Sequence, residues 1–352
     1  MTEILPQALF SDYIAYFTEE RLSKGTGIVY SSWSLFHTLF IFLAAVAGPV
    51  HSDLLKAMQL SEKEASPPEV SQVVSLLCKD SALALAANIY AKSVTPTAEF
   101  VGLVKRYFDI AIEPLKSASQ VNNWCSAQTK GLIKSIIDDI KDTDAILISA
   151  IYFKANWTLK FSKDDTKRLP FTSLDGRAQE RDLMYMKAKL QYASSDSAQM
   201  VKLKYNDSNI SAVIVLPREA GKASLKATLR YDNFFPADGF LTKEVILKLP
   251  KFKLESSHDL KDHLVLRGAG SMFGVCNCNE TLGAPMTVTQ VIQKAVIEVD
   301  EEGTEAAAVT AIRMLRCAMA APPPEIYHVI CDRPFWFMLE HNGIPLFLTA
   351  IL

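Results

Sequence analysis

Three observations predict an α+β fold. Helix-period apolar patterns crowd the first roughly 140 residues. From Ala145 onward the apolar segments become short and rich in β-branched and aromatic residues, as strands require. No internal repeat and no flexible linker separates the two halves, so residues 1–352 read as one domain with mixed sheets and a helical N-terminal half. The length suffices to bury a large core without disulfide or metal staples. At 49% hydrophobic and 22% charged residues, disorder is excluded for most of the chain.

Leu5–Arg21 reads as an amphipathic helix, and Leu35–Val50 as a buried helix too short for a membrane span. Pro67 and Pro68 are expected to interrupt a helix between Leu60 and Leu83. Phe100, Leu103, Val104, Tyr107 and Phe108 form one apolar helix face. Val121, Trp124 and Gln128, continued by Ile133, Ile136, Ile137 and Ile140, predict one long helix. Strands are expected at Ala145–Phe153, Ala212–Leu216, Val245–Leu249, Val288–Val299 and Leu346–Leu352. Between the last two lies an odd segment, Gly303–Pro324, which starts with small residues and ends in three prolines. A connection of that length between buried strands is usually functional.

Charge and motifs exclude several classes. Lys+Arg total 37 against 39 Asp+Glu, a formal charge of -2, which argues against nucleic-acid and anionic-membrane partners. The six cysteines form no CxxC pair, so they read as reduced thiols; Cys276 and Cys278 alone do not make a zinc site. His258 and His263, five apart, share no helix face and lack a third ligand. Residues 268–274 carry glycines at the wrong spacing for a nucleotide loop, and no GxSxG elbow is present to support a hydrolase. No cofactor and no metal are expected. The N-terminus lacks a signal-peptide pattern. Sequons at Asn156, Asn206, Asn209 and Asn279 nevertheless leave an extracellular mature form open beside a cytoplasmic or non-classically secreted one.

The odd segment decides the reading. Glu301–Thr310 (EEGTEAAAVT) resembles the proximal hinge of the reactive-centre loop of serpins. Ser149–Trp157 (SAIYFKANW), Ser31 and Ser34, Trp124 with Gln128 and Thr129, Leu249–Ser257 (LPKFKLESS), and Asp332–Phe335 with Leu346–Phe347 resemble further blocks of that family. The resemblance runs from about residue 8 to 352. It implies a serpin fold with an exposed loop at about 301–325. The implied function is monomeric, irreversible inhibition of a serine protease, trypsin-like or chymotrypsin/elastase-like, by a chain that is not itself an enzyme. Inhibition of cysteine proteases, or a non-inhibitory carrier, chaperone or storage role, is the alternative.

In the implied mechanism a protease cuts the loop, and the cut segment adds to a sheet as a new strand. Alternate residues of that strand face the interior. Here they are Thr304, Ala306, Ala308 and Thr310, all small and uncharged, while Glu305 falls on the other face. Gly303 suits a pivot, and Trp157 is expected beneath the hinge. About ten new ladder bonds at ~0.5–1.5 kcal/mol each would drive insertion. Counting fourteen positions from Gly303 as the family does gives Cys317–Ala318 as the reactive bond, with Arg316 or Met319 as alternative bait.

The chain departs from the family where Ser149 replaces the usual Asn, Gln293 the usual His and Ser32 the usual Pro. In the family that Asn and His bond to each other and to the serine matching Ser31. A buried amide without a partner costs about 1–3 kcal/mol, so Gln293 is expected to reach Ser149 or Ser31.

Overall fold

A computed structural model describes residues 4–23, 25, 27–80, 82–92, 94–108, 110, 112–129, 131–153, 155–303 and 325–352. At its centre is a helix that is buried on every side. Ser31, in extended conformation, caps it by accepting from Ser34 N–H at 3.0 Å, and all residues of the helix Ser32–Leu43 are buried.

In chain order the helices are α1 (Ile4–Tyr16), α2 (Glu19–Leu22), α3 (Ser32–Leu43), α4 (Pro49–Met58), α5 (Pro67–Cys78), α6 (Ala98–Phe108) and α7 (Ala118–Gln128), with short ones later in the chain. The strands are β1 (Ile28–Tyr30), β2 (Leu83–Ala91), β3 (Glu113–Pro114), β4 (Ala145–Phe153), β5 (Lys167–Thr172), β6 (Ala178–Ser194), β7 (Ala198–Lys204) and β8 (Ile210–Pro217). They continue as β9 (Leu241–Pro250), β10 (Phe252–Asp259), β11 (Val275–Cys276), β12 (Met286–Val299), β13 (Ile326–Ile330), β14 (Phe335–His341) and β15 (Ile344–Ile351). The class is α+β.

Several expectations are corrected. The first helix stops at Tyr16; Thr18 caps a separate turn, Glu19–Leu22. The buried helix ends at Leu43, because Gly48 (φ +72°) and Pro49 begin α4. Pro67 and Pro68 do not break a helix. They start one, at positions whose N–H groups would be unpaired in any case. The long helix predicted through Ile140 ends at Gln128. Gly131 takes φ +80°, and Ile133, Ile136 and Ile137 are buried in irregular backbone.

Among the described residues the strands form two sheets. The larger runs β1-β15-β14-β8-β7-β6-β9-β13, with β5 on β6. The smaller runs β10-β12-β4-β2-β3, with β11 on β12. In the smaller sheet β4 pairs antiparallel with β2 but parallel with β12, in the register Ile148↔Ile292 and Ser149↔Gln293.

The two-residue period of β4 sorts it between two cores. Ala145, Leu147, Ile151 and Phe153 join the main core, which includes α3. Ile146, Ile148, Ala150 and Tyr152 pack with Val121 and Cys125 of α7 and with Ile133, Ile136 and Ile137. Ser149 therefore interrupts the apolar row on the α3 side. Gln293 interrupts the matching row of β12, formed by Val291, Ala295, Ile297 and Val299.

Candidate functional site

The seam between β4 and β12 is tied at two levels. At the middle, Gln293 is fully buried and pairs with the backbone of Ser31 in both directions. Its Nε2 donates to Ser31 O at 2.8 Å, and Ser31 N–H donates to its Oε1 at 2.9 Å. Ser31 Oγ donates to Leu346 O, linking the same point to β15. Ser149 meets the hydroxyl of Ser34 rather than Gln293. Each strand is thus fastened to α3 below it. Of the two partners expected for Gln293, it takes Ser31.

At the end of β12 the chain folds into a tight turn. Asp300 N–H donates to Gly303 O at 3.0 Å, and the Asp300 carboxylate accepts from Glu302 N–H at 2.9 Å and Gly303 N–H at 3.2 Å. The turn lies against the chain that continues from β4, where Asn156 forms a bridge with Gly303. Gly303 is required here. Its φ is +128°, and a Cβ would lie 2.3 Å from Ala155 O and 2.5 Å from Asn156 Cα.

Trp157 sits beneath this turn, 2% exposed and stacked on Tyr205 at 4.2 Å. Its backbone N–H donates to Glu302 O at 2.9 Å, and its indole N–H donates to Asp300 O at 3.0 Å.

Charge closes the clamp. Glu302 is bound by Lys160 at 2.8 Å and Lys163 at 3.0 Å; hydrogen bonds from these two ammonium groups hold its pKa down at about 2. Glu301 is bound by Lys251 at 2.9 Å and accepts from Thr166 at 2.7 Å. Burial alone would raise the Glu301 pKa, but the bonds from Lys251 and Thr166 outweigh it and leave it below the usual range. Lysines as far away in sequence as Lys160 and Lys163 carried no local signal of this role. The doublet Glu301-Glu302 at the end of an apolar strand was the available hint.

The structure thus brings together Ser31, Ser34, Ser149 and Gln293 at the middle of the seam, and Trp157, Glu301 and Gly303 at its end. The other expected hinge residues, Thr304, Ala306, Ala308 and Thr310, and the bait residues Arg316, Cys317, Ala318 and Met319, lie outside the described residues.

The residues set aside as chemistry have structural partners. His258 on β10 and His263 on the helix Lys261–Leu266 both abut the ring of Tyr16. His263 Nε2 lies 2.8 Å from Asp12, which also accepts from Tyr30 and Ser32. This buried cluster was invisible in the sequence, since its members come from four elements. Among the described residues no group of three or more His, Cys, Asp or Glu could hold a metal, and no helix is long and apolar enough to cross a membrane. Cys125, Cys276, Cys278 and Cys331 are free and buried. Asn206, Asn209 and Asn279 are exposed, whereas the fourth sequon asparagine, Asn156, belongs to the clamp.

Comparison with known proteins agrees with this architecture. The sequence profile of the family described as Serpin (serine protease inhibitor) matches residues 14–352. Alaserpin of Manduca sexta is 29% identical, over 94% of this chain and 89% of its own. Iris of Ixodes ricinus is 32% identical, over 79% of this chain and 80% of its own. The crystal structure of Serpin48 from the insect Tenebrio molitor superposes with a TM-score of 0.86 at 25% identity, covering 99% of this chain and 97% of that one.

Proposed function

The chain belongs to the serpin family, and from that premise we propose that it is a suicide-substrate inhibitor of a serine protease. Family membership supports protease inhibition and a role other than enzyme. The target protease attacks near Cys317–Ala318, forms an acyl-enzyme, and is trapped when the segment after Gly303 enters the seam.

One observation carries this reading: β4 and β12 are parallel neighbours, and the loop leaves from the end of β12 through the Gly303 turn. A chain that reverses there runs antiparallel to both strands. Insertion therefore exchanges one parallel pairing for two antiparallel ones, which are slightly more stable per residue. The small alternates Thr304, Ala306, Ala308 and Thr310 favour such burial over a non-inserting carrier role.

The test is to mix the chain with trypsin, chymotrypsin and elastase and resolve the products on denaturing gels. A complex that survives SDS is expected with at least one of them, and mass spectrometry of the released peptide locates the cut. Clean cleavage with every protease, and no gain in thermal stability of the cut chain, would make it a substrate and not an inhibitor.

A further inference from the structure

The formal charge of -2 conceals a local excess of the opposite sign. Where β6 pairs with β7, Gln191 stands opposite Lys202, and two positions beyond that pair, on the two strands, come Lys189 and Lys204. Three lysines thus crowd one end of this ladder. Like charges so placed destabilise one another unless something negative joins them. One carboxylate does. Glu340, 1% exposed on β14, takes Lys202 at 2.7 Å and accepts from Gly343 N–H at 2.6 Å. Lys189 and Lys204 are exposed and form no ion pair among the described residues, even though Glu244 of β9 stands opposite Lys189.

All three lysines line a cavity of about 180 Å³. Thr158 and Gln191 add a hydroxyl and an amide to its wall, and Leu159, Leu190 and Leu203 complete it; none of these lining residues is acidic. One side is fixed by Thr158 N–H, which donates to Lys204 O at 2.9 Å and ties the chain that continues from β4 to the end of β7. Lys160 and Lys163, engaged by Glu302, do not line it, so the cavity is separate from the clamp.

We infer that this cavity binds a doubly charged tetrahedral oxyanion, a phosphate or sulfate group, held by Lys189, Lys202 and Lys204. With Lys202 matched by Glu340, two positive charges remain uncompensated, and a dianion answers both. Lysine binds such groups as a point charge, and the Thr158 hydroxyl and Gln191 amide are neutral donors for the remaining oxygens. A monocarboxylate brings one charge and leaves one lysine unanswered. The space is smaller than the ~300–1,000 Å³ of sites for drug-sized molecules, which suits a single oxyanion group better than a whole cofactor. Leu159 is 49% exposed, an apolar lip that lets the group arrive free or as the ester of an apolar body. Binding requires neither a cut loop nor a protease.

Calorimetric titration of the intact chain at constant ionic strength with inorganic phosphate, sulfate, phenyl phosphate and acetate tests it. The expected result is saturable binding of phosphate and sulfate at one site, at least about tenfold tighter than acetate, since one more charged hydrogen bond supplies that factor. Phenyl phosphate binding more tightly than inorganic phosphate would assign the site to esters that also use Leu159, and the reverse order would assign it to the free ion. Lys189→Gln and Lys204→Gln should each weaken phosphate about tenfold. Lys187→Gln, which alters an exposed lysine of β6 outside the cavity, should leave the affinity unchanged. Equal weakening by all three variants would reveal diffuse charge in place of a site and defeat the proposal. So would acetate binding as tightly as phosphate, or neither saturable heat nor a rise in thermal midpoint with any dianion.

Discussion

At its middle, β12 is held by neutral hydrogen bonds: Gln293 to the backbone of Ser31, in a site closed to water. At its end the same strand is held by a turn without room for a Cβ and by carboxylates pinned to Lys160, Lys163 and Lys251. The middle tie runs downward to α3 and leaves the β4–β12 seam free of a side-chain bond between Gln293 and Ser149. The end tie runs across, from β12 to the chain that continues β4. A sheet built this way is gripped across its seam at the end where the loop leaves. At its centre the backbone ladder joins the two strands, while the polar side chains seat them on the helix below. Parting β4 from β12 must therefore disturb the electrostatic clamp, whereas the bonds of Gln293 can travel with Ser31.

The sharpest break of this contrast is Gly303→Val. Strain at φ +128° and overlap with Ala155 O and Asn156 Cα should together cost about 3–5 kcal/mol, read as a fall in thermal midpoint at a fixed scan rate. An unchanged midpoint would mean that the turn is not fixed against Asn156.

Next in size is Gln293→Leu, which strands the buried N–H of Ser31 and leaves its C=O with only the Leu35 N–H. The expected loss is about 2–4 kcal/mol in urea unfolding. A cost near zero would mean that α3 and β12 are not joined there.

Acid probes the end alone. Glu302 titrates at about 2 in the folded chain because Lys160 and Lys163 bond it, against an ordinary value of 4.5. A depressed carboxylate contributes stability above its unfolded pKa and loses it as pH falls toward the folded value. That contribution is whole above pH 4.5 and fades from there toward about 2. Glu302→Gln should therefore flatten the acid dependence of stability in that window. Gln293→Leu should leave its slope unchanged; equal flattening by both variants would erase the distinction between the two ties.

The smallest effect belongs to Ser149→Ala, about 1 kcal/mol, because Ser34 loses a buried partner. Ser34→Ala combined with Ser149→Ala should cost less than the sum of the two single changes, since no hydroxyl then remains unpaired there. Strict additivity in that cycle would show that the two serines do not interact.

The comparison also explains what could be read from the chain. β4 was legible to the residue, because a short run rich in isoleucine and aromatic residues, broken only by Ser149, reads as a buried strand. Ser149 and Gln293 stood out as departures from the family pattern, and their neighbourhood followed from resemblance. The helix drawn through Ile140 failed for a physical reason: Ile133, Ile136 and Ile137 are spaced by burial against β4, and that burial is reached in irregular backbone after Gly131. The clamp was illegible, because Lys160, Lys163 and Lys251 gain meaning only once the turn at Asp300–Gly303 is folded over them.

Gly303 belongs with the smaller sheet through Asn156, while Ile326 is zipped to Glu244 on the outer margin of the larger one. The stretch joining them is a bridge between two separate platforms. On the proposed function, a cut in this stretch would let the part after Gly303 enter the seam while the part before Ile326 stays with the larger sheet, so the two new termini separate. Each copy would then serve once, so dose would depend on how much is made, as with a fuse and unlike a catalyst.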